Sequence, residues 1–241
     1  MFFHNALPFF LLTLISLSGC SQKDRIATKG TLQMKTQLYN KDGKPTFTHY
    51  LKIWHKDSLV IEEITGVNTV MTSKDTTTTF PLIGYKFIDP RSRTIYDYKT
   101  FSDTSRIVKT FPLTDSLMDG PGWNIYSEKA PAIGGESIAL KDTFIENVNY
   151  KRYKCNFKWD NPEKVYLIGY FNCDNKDCMF SLEKFYSRKI QCPMVKFFSY
   201  RTSKTTPYGS MEVFYLSDTL SPEDIKVFDA WERNARNNPA Q

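Results

Sequence analysis

The sequence is poor in the residue patterns that carry catalysis and cofactor binding. It contains three histidines in 241 residues, and it has no phosphate-binding glycine loop, dinucleotide fingerprint or calcium loop. His49 and His55 share one predicted strand, where a rise of 3.3 Å per residue separates them by about 20 Å. They therefore cannot chelate one metal ion. No spacing of acidic residues singles out a catalytic pair either, so the sequence predicts no catalytic residue, metal or cofactor.

Long apolar runs are also scarce. The one clear run covers residues 7–17 (LPFFLLTLISL) and contains Pro8 and Thr13. A membrane-spanning helix needs about 20 apolar residues, whereas the apolar part of a secretory signal peptide has about 7–15. The run therefore predicts a signal peptide over residues 1–19 and export from the cytoplasm.

The residues that end this run carry a resemblance. Leu17-Ser18-Gly19-Cys20 resembles the lipobox of bacterial lipoproteins, in which the cysteine becomes the acylated first residue of the mature chain. The resemblance implies lipidation of Cys20, a membrane partner held through its acyl chains, and a tether over residues 20–29. Ser21 follows the cysteine where an aspartate would favour the inner membrane, which implies the outer membrane. The alternatives are an ordinary signal peptide cleaved near Gly19 and a short buried helix.

Residues 22–24 (QKD) resemble the surface-export signal of Bacteroidota lipoproteins, so the periplasmic face and the cell surface both stay open. The net charge of +6 comes from scattered lysines and arginines. This pattern is typical of a solvated surface and does not indicate nucleic-acid binding, although a mild attraction to acidic lipids or glycans is compatible with it. Hydrophobic residues make up 41% of the chain, which supports a real core in one β-rich domain over residues 30–241.

Four cysteines remain after Cys20, and an even number in an exported chain indicates two disulfides. The sequence allows three pairings. We favour Cys173 with Cys178, which closes a short loop, and Cys155 with Cys192, which ties two strands. The rival is a four-thiolate zinc site, but the spacing lacks paired C-x-x-C units.

The pattern along the chain predicts a mainly β, antiparallel fold with a C-terminal α-helix. Extended runs alternate with turn residues, and Asp42-Gly43 between two such runs is a strong hairpin signal. Ser221 and Pro222 predict the start of a helix over residues 222–236. Its apolar stripe consists of Ile225, Phe228, Trp231 and Ala235, and it is expected to pack on the sheet.

This meander with a loop-rich segment over residues 112–137 and a helix resembles the curved half-barrel of the LolA/LolB-like lipoprotein carriers. The resemblance implies a curved sheet whose concave face holds lipid; the chain departs from it in having few predicted helices. Aromatic pairs on one sheet face give the candidates for lining such a cavity: Tyr85, Phe87, Tyr96, Tyr98 and Trp123. The alternative is that these rings form an aromatic core.

Two functions of different classes follow. The first is a lipid-anchored envelope lipoprotein that binds lipid or another apolar ligand in a β-sheet cavity. The second is a non-catalytic structural lipoprotein that docks to a protein partner in an outer-membrane or surface complex through an exposed aromatic patch.

Overall fold

The computed structural model describes residues 29–71, 76–113, 134–157, 165–174 and 181–238. These residues form thirteen strands and two helices, and their bounds are as follows. The strands are β1 (Lys29–Tyr39), β2 (Pro45–Lys56), β3 (Leu59–Thr65), β4 (Asn68–Met71), β5 (Thr76–Thr79), β6 (Leu82–Asp89), β7 (Thr94–Tyr98), β8 (Ile107–Pro112), β9 (Gly134–Ile145), β10 (Val148–Phe157), β11 (Val165–Asn172), β12 (Met194–Arg201) and β13 (Gly209–Ser217); the helices are α1 (Lys184–Ile190) and α2 (Pro222–Asn237).

Eleven of the strands form one antiparallel, curved sheet in the order β8-β7-β6-β3-β2-β1-β13-β12-β11-β10-β9. The chain therefore runs as two meanders that meet in the middle, where β1 pairs with β13. The edge strands β8 and β9 do not pair with each other in the described part of the chain. A separate hairpin of β4 and β5 connects β3 to β6. We call the edge at which β1 begins the lower edge and the opposite one the upper edge.

Turn chemistry explains the first hairpin. The side-chain Oδ1 of Asn40 accepts hydrogen bonds from the backbone N–H groups of Asp42 and Lys44, at 3.0 and 2.9 Å. Gly43 has a φ of 75°, a conformation that costs glycine little. The predicted hairpin at Asp42-Gly43 is therefore confirmed.

Two apolar clusters lie on opposite faces of the sheet because adjacent residues of a strand point in opposite directions. On β2, Ile53 belongs to one cluster and Trp54 to the other. The cluster that contains Ile53 also holds Tyr186 of α1, and we call its side of the sheet the α1 face. The cluster that contains Trp54 also holds Trp231 of α2, and we call its side the α2 face.

Helix α2 begins with the local signals that the sequence shows. The Ser221 hydroxyl accepts a hydrogen bond from the Asp224 backbone N–H, and the Asp224 carboxylate accepts one from the Ser221 backbone N–H, both at 3.1 Å. This capping box fixes the start of the helix. The buried stripe includes Phe228, Trp231 and Ala235, which contact the α2 face over β3, β6 and β7. The predicted helix, its position and the mainly antiparallel β fold are confirmed.

Candidate functional site

The aromatic residues proposed as a cavity lining lie beneath α2. Phe87, Tyr96 and Tyr98 are buried, and Tyr85 packs beside them. Tyr98 stacks on Trp231 with ring centroids 3.8 Å apart and planes 1° from parallel. These four side chains therefore form part of an aromatic core, which is the alternative that the sequence analysis gives to a cavity lining. Trp123 lies outside the described residues.

The preferred cysteine pairing is wrong. Cys173, at the end of β11, is bonded to Cys192, which precedes β12. Cys155 on β10 is free and fully buried, and burial raises the pKa of its thiol to about 12. The physical reason is the strand register. Cys155 pairs with Leu167 in the interior of the sheet, whereas the disulfide joins the two ends of the connection between β11 and β12 at the lower edge. Cys178 and the proposed lipidation site Cys20 lie outside the described residues.

The two histidines occupy separate environments on β2. Burial lowers the pKa of His49, whose Nε2 lies 3.0 Å from the Thr65 hydroxyl. Burial also lowers the pKa of His55 to about 4, against a smaller opposing effect of Asp57. Within the described ranges, no group of three or more His, Cys, Asp or Glu side chains is placed to hold a metal ion.

The centre of the α1 face carries an apolar surface that is only partly buried. Phe197, Met211, Val213 and Leu51 lie on β12, β13 and β2, with β1 between β13 and β2, and all four are half-buried. We call these four residues the central apolar patch. With strands about 4.8 Å apart, the patch spans about 14 Å from β12 to β2.

Register assembles this patch in two cross-strand rows. Met34 on β1 pairs with both Val213 and Leu51, which forms the lower row. In the upper row, Phe197 pairs with Met211, and Met211 pairs with Thr36. Each row is continuous because directly opposed residues of antiparallel strands share a face.

One end of the upper row is bounded by aromatic side chains. Thr36 pairs with His49, and the His49 ring lies 4.7 Å from the Phe80 ring, centroid to centroid. Phe80 also meets Phe47 edge-on at 4.8 Å. Phe80 follows the β4–β5 hairpin, so this connection between β3 and β6 reaches onto the α1 face beside the patch.

At the other end, Gly169 on β11 pairs with Phe197. A Cβ atom at Gly169 would lie 2.7 Å from Met194 Cε and 2.9 Å from Phe171 Cε2, so only glycine fits without a shift. The absence of a side chain lets Met194 and Phe171 close the core next to the patch. Sequence reasoning missed this site because its members come from strands far apart in the chain.

The α2 face has a second surface that α2 does not cover. Over β10–β12 it presents aromatic rings with cations above them: Lys154 Nζ lies 4.3 Å from the Tyr166 centroid and the Arg152 guanidinium 5.4 Å from that of Tyr170. Tyr166 also stacks on Tyr200 at 5.2 Å. We call Arg152, Lys154, Tyr166, Tyr170 and Tyr200 the cation–aromatic surface. Its two cations come from β10 and its three rings from β11 and β12, so no single strand shows this pattern in the sequence.

No protein-family model matches the sequence, and no curated protein has significant similarity to it. Neither finding assigns a function. In the part of the chain that the structure describes, neither helix is long and apolar enough to cross a membrane.

Proposed function

We propose that the protein is a lipid-anchored lipoprotein of the outer membrane that binds an apolar ligand, such as an acyl chain, on the α1 face of its sheet. The observation that carries this proposal is the central apolar patch. Its four side chains present aliphatic and aromatic surface in the middle of a curved sheet, where a core residue would ordinarily be covered.

The chemistry of the patch suits a flexible apolar chain. Met211 is unbranched and polarizable, so it adapts to ligands of different shape. An acyl chain laid along the rows would remove the half-buried groups from water, and such transfer is favourable at about 25 cal/mol per Å² of apolar area.

Ligand binding is tested with a fluorescent fatty acid and the Met211→Glu variant. We expect this variant to bind at least about tenfold more weakly, because a charge in an apolar contact costs well over 1.4 kcal/mol. The matched control is Tyr50→Glu, which places the same charge on the α2 face of β2, where Tyr50 is 48% exposed. Equal affinity of Met211→Glu and the unmodified protein would contradict the proposal.

The anchor is tested separately. The amino-terminal peptide of the mature protein should begin at Cys20 and carry the mass of its acyl chains. Cys20→Ser should prevent acylation and change how the protein fractionates with outer membranes. A mature amino terminus without lipid would refute the anchor and leave the ligand site unaffected.

A specific observation favours docking to a protein partner as a second candidate. Large apolar residues are exposed where β3 and β6 meet the β4–β5 hairpin at the upper edge; they are Val67 (71% exposed), Val70 (53%), Leu82 (49%) and Ile83 (46%). An Ile83→Asp variant should then lose chemical cross-links to envelope proteins while retaining fatty-acid binding. Unchanged cross-links would exclude this surface.

A further inference from the structure

We propose that the upper edge of the sheet contains a binding cleft for an acidic sugar, and that the cation–aromatic surface extends this site for a longer anionic polysaccharide. This site is separate from the acyl-chain site: the cation–aromatic surface lies on the opposite face of the sheet, and its test depends on neither the acyl ligand nor the anchor.

The cleft lies between two turns of neighbouring hairpins. It has a volume of about 250 Å³ and is lined by Tyr39, Asn40, Lys41, Arg201, Lys204, Thr206, Pro207 and Tyr208. The backbone N–H of Tyr39 donates to the Tyr208 carbonyl at 3.1 Å, which holds the β1–β2 and β12–β13 connections together. This volume suits one sugar unit.

The lining has the charge of an anion site. Among the residues that the structure describes, it contains three cations, Lys41, Arg201 and Lys204, and no aspartate or glutamate. All three cations are exposed to solvent. A guanidinium binds a carboxylate through a planar pair of hydrogen bonds, so Arg201 is the residue best suited to the acidic group.

Tyrosine rings give the cleft its second property. The Arg201 guanidinium lies 5.5 Å from the Tyr208 ring centroid. On the other side, the Tyr39 hydroxyl lies 2.9 Å from the Ser210 hydroxyl. A tyrosine offers an apolar face and a hydrogen-bonding tip, which matches the C–H faces and hydroxyl groups of a sugar. A simple inorganic anion would make no use of these rings.

The cleft is continuous with the cation–aromatic surface. Tyr39 of the cleft lies beside Ser210, which pairs with Phe198 on β12, and the Phe198 ring lies 5.9 Å from that of Tyr170, centroid to centroid. Tyr200 stacks on Tyr166 in the same surface, and burial raises its pKa. The Nε atom of Arg152 is buried without a hydrogen-bond partner, and an acidic ligand here would lie beside an arginine that now contacts a ring.

In the described part of the chain, the cations outnumber the acids along this path. Among the described residues, Lys196 forms an ion pair with Glu212 at 3.1 Å, whereas Arg152 and Lys154 face tyrosine rings. A polymer with both sugar rings and regularly placed carboxylates fits this combination of rings and cations. An acidic peptide would match the charge and a neutral glycan would match the rings, and each satisfies one half of the surface.

The cleft lies at the opposite end of β1 from the proposed anchor. Residues 20–28 precede β1 at the lower edge, whereas the cleft lies at the upper end of the same strand. The eleven residues of β1 span about 33 Å at 3.3 Å per residue.

The experiment measures binding of a hexamer of galacturonic acid to the purified full chain in detergent. The comparison probes are maltohexaose, which has rings without charge, and polyglutamate, which has charge without sugar rings. We expect the acidic hexamer to bind more tightly than both. Binding should weaken as the salt concentration rises, because dissolved ions screen the attraction between the cations of the site and the carboxylates of the ligand.

Variants locate the site. The double variant Arg201→Gln/Lys204→Gln should bind the hexamer about tenfold more weakly, as expected for the loss of charge-assisted contacts worth about 1.4 kcal/mol. The control Lys226→Gln removes the same kind of charge from an exposed position on α2 and should bind normally. Tyr166→Ala should weaken binding of the hexamer and leave binding of monomeric galacturonate unchanged. Unchanged thermal unfolding establishes that each variant is folded.

Four results would overturn the proposal. They are absence of hexamer binding, equal binding of polyglutamate, equal binding of maltohexaose, and equal weakening by Lys226→Gln. The second would indicate an acidic protein partner, the third a site for neutral sugars, and the fourth a non-specific attraction between opposite charges.

Discussion

The two ends of the α2 face are both rich in aromatic residues and have opposite environments. At the β6–β7 end, Phe87 and Tyr98 are buried beneath Trp231, and Lys52 lies over the Trp54 ring in the same cluster. At the β10–β12 end, Tyr166 and Tyr170 are half-buried and face Lys154 and Arg152. Aromatic content therefore does not distinguish a core from a surface in this sheet. The cover does, because α2 packs against the rings of the β6–β7 end, whereas the rings over β10–β12 stay half-buried.

The largest effect on stability is expected from removing the ring of Trp231, which lies at the centre of the covered end. Trp231→Ala should lower the free energy of unfolding by about 3–5 kcal/mol, because it leaves a cavity in a closed core. Tyr170→Ala at the open end should cost less than about 1.5 kcal/mol. Chemical denaturation of both variants gives the two values, and similar losses would mean that the two ends are equally buried.

The second test concerns the disulfide at the lower edge of the open end. The double variant Cys173→Ala/Cys192→Ala should lose about 3 kcal/mol of stability, as expected for release of a loop of this size. Hydrogen exchange should increase in β11 and β12 and stay unchanged in β6 and β7. A reducing agent should have no further effect on this variant; a further loss would contradict the pairing of Cys173 with Cys192.

The third test uses pH to probe the α1 face of β2, on the other side of the sheet from the covered end. His55 has a pKa of about 4 in the folded protein and 6.5 ordinarily. The unfolded chain therefore takes up a proton between these values and the folded chain does not. Stability should fall by roughly 2–3 kcal/mol as pH drops from about 6.5 to about 4. His55→Gln should show a smaller decline over this range, and parallel curves for the two proteins would contradict the burial of His55.

The smallest effect is expected from the cap of α2. Ser221→Ala removes the acceptor for the Asp224 backbone N–H and should cost about 1 kcal/mol. Because α2 covers only one end of its face, faster hydrogen exchange should be confined to α2 and the strands under it. Faster exchange in β11 as well would indicate that the helix also stabilises the open end.

Local chemistry explains which parts of the fold are predictable from sequence. The Asp42-Gly43 turn and the capping residues Ser221 and Asp224 act within a few positions of the chain, so their structures follow from the residues themselves. The pairing of β1 with β13 joins residues nearly two hundred positions apart, as Lys35 with Glu212 shows. Such a contact depends on the whole sheet, and no local signal gives it.

The same distinction accounts for the misplaced site. The alternation at Tyr85, Phe87, Tyr96 and Tyr98 correctly places these rings on one face, but it does not state what covers that face. The stripe of α2 supplies the cover, and only the tertiary structure brings Trp231 to Tyr98. Likewise, the cysteine spacing indicates disulfides, whereas the register that buries Cys155 decides which pair can form.

The most direct test of the proposed ligand site is photo-cross-linking with a fatty acid that carries a diazirine, followed by peptide mapping. The label should appear on the central apolar patch, at Leu51, Phe197, Met211 or Val213. Labelling of the rings beneath α2, labelling confined to the cation–aromatic surface, or no label at all would contradict an acyl-chain site on the α1 face.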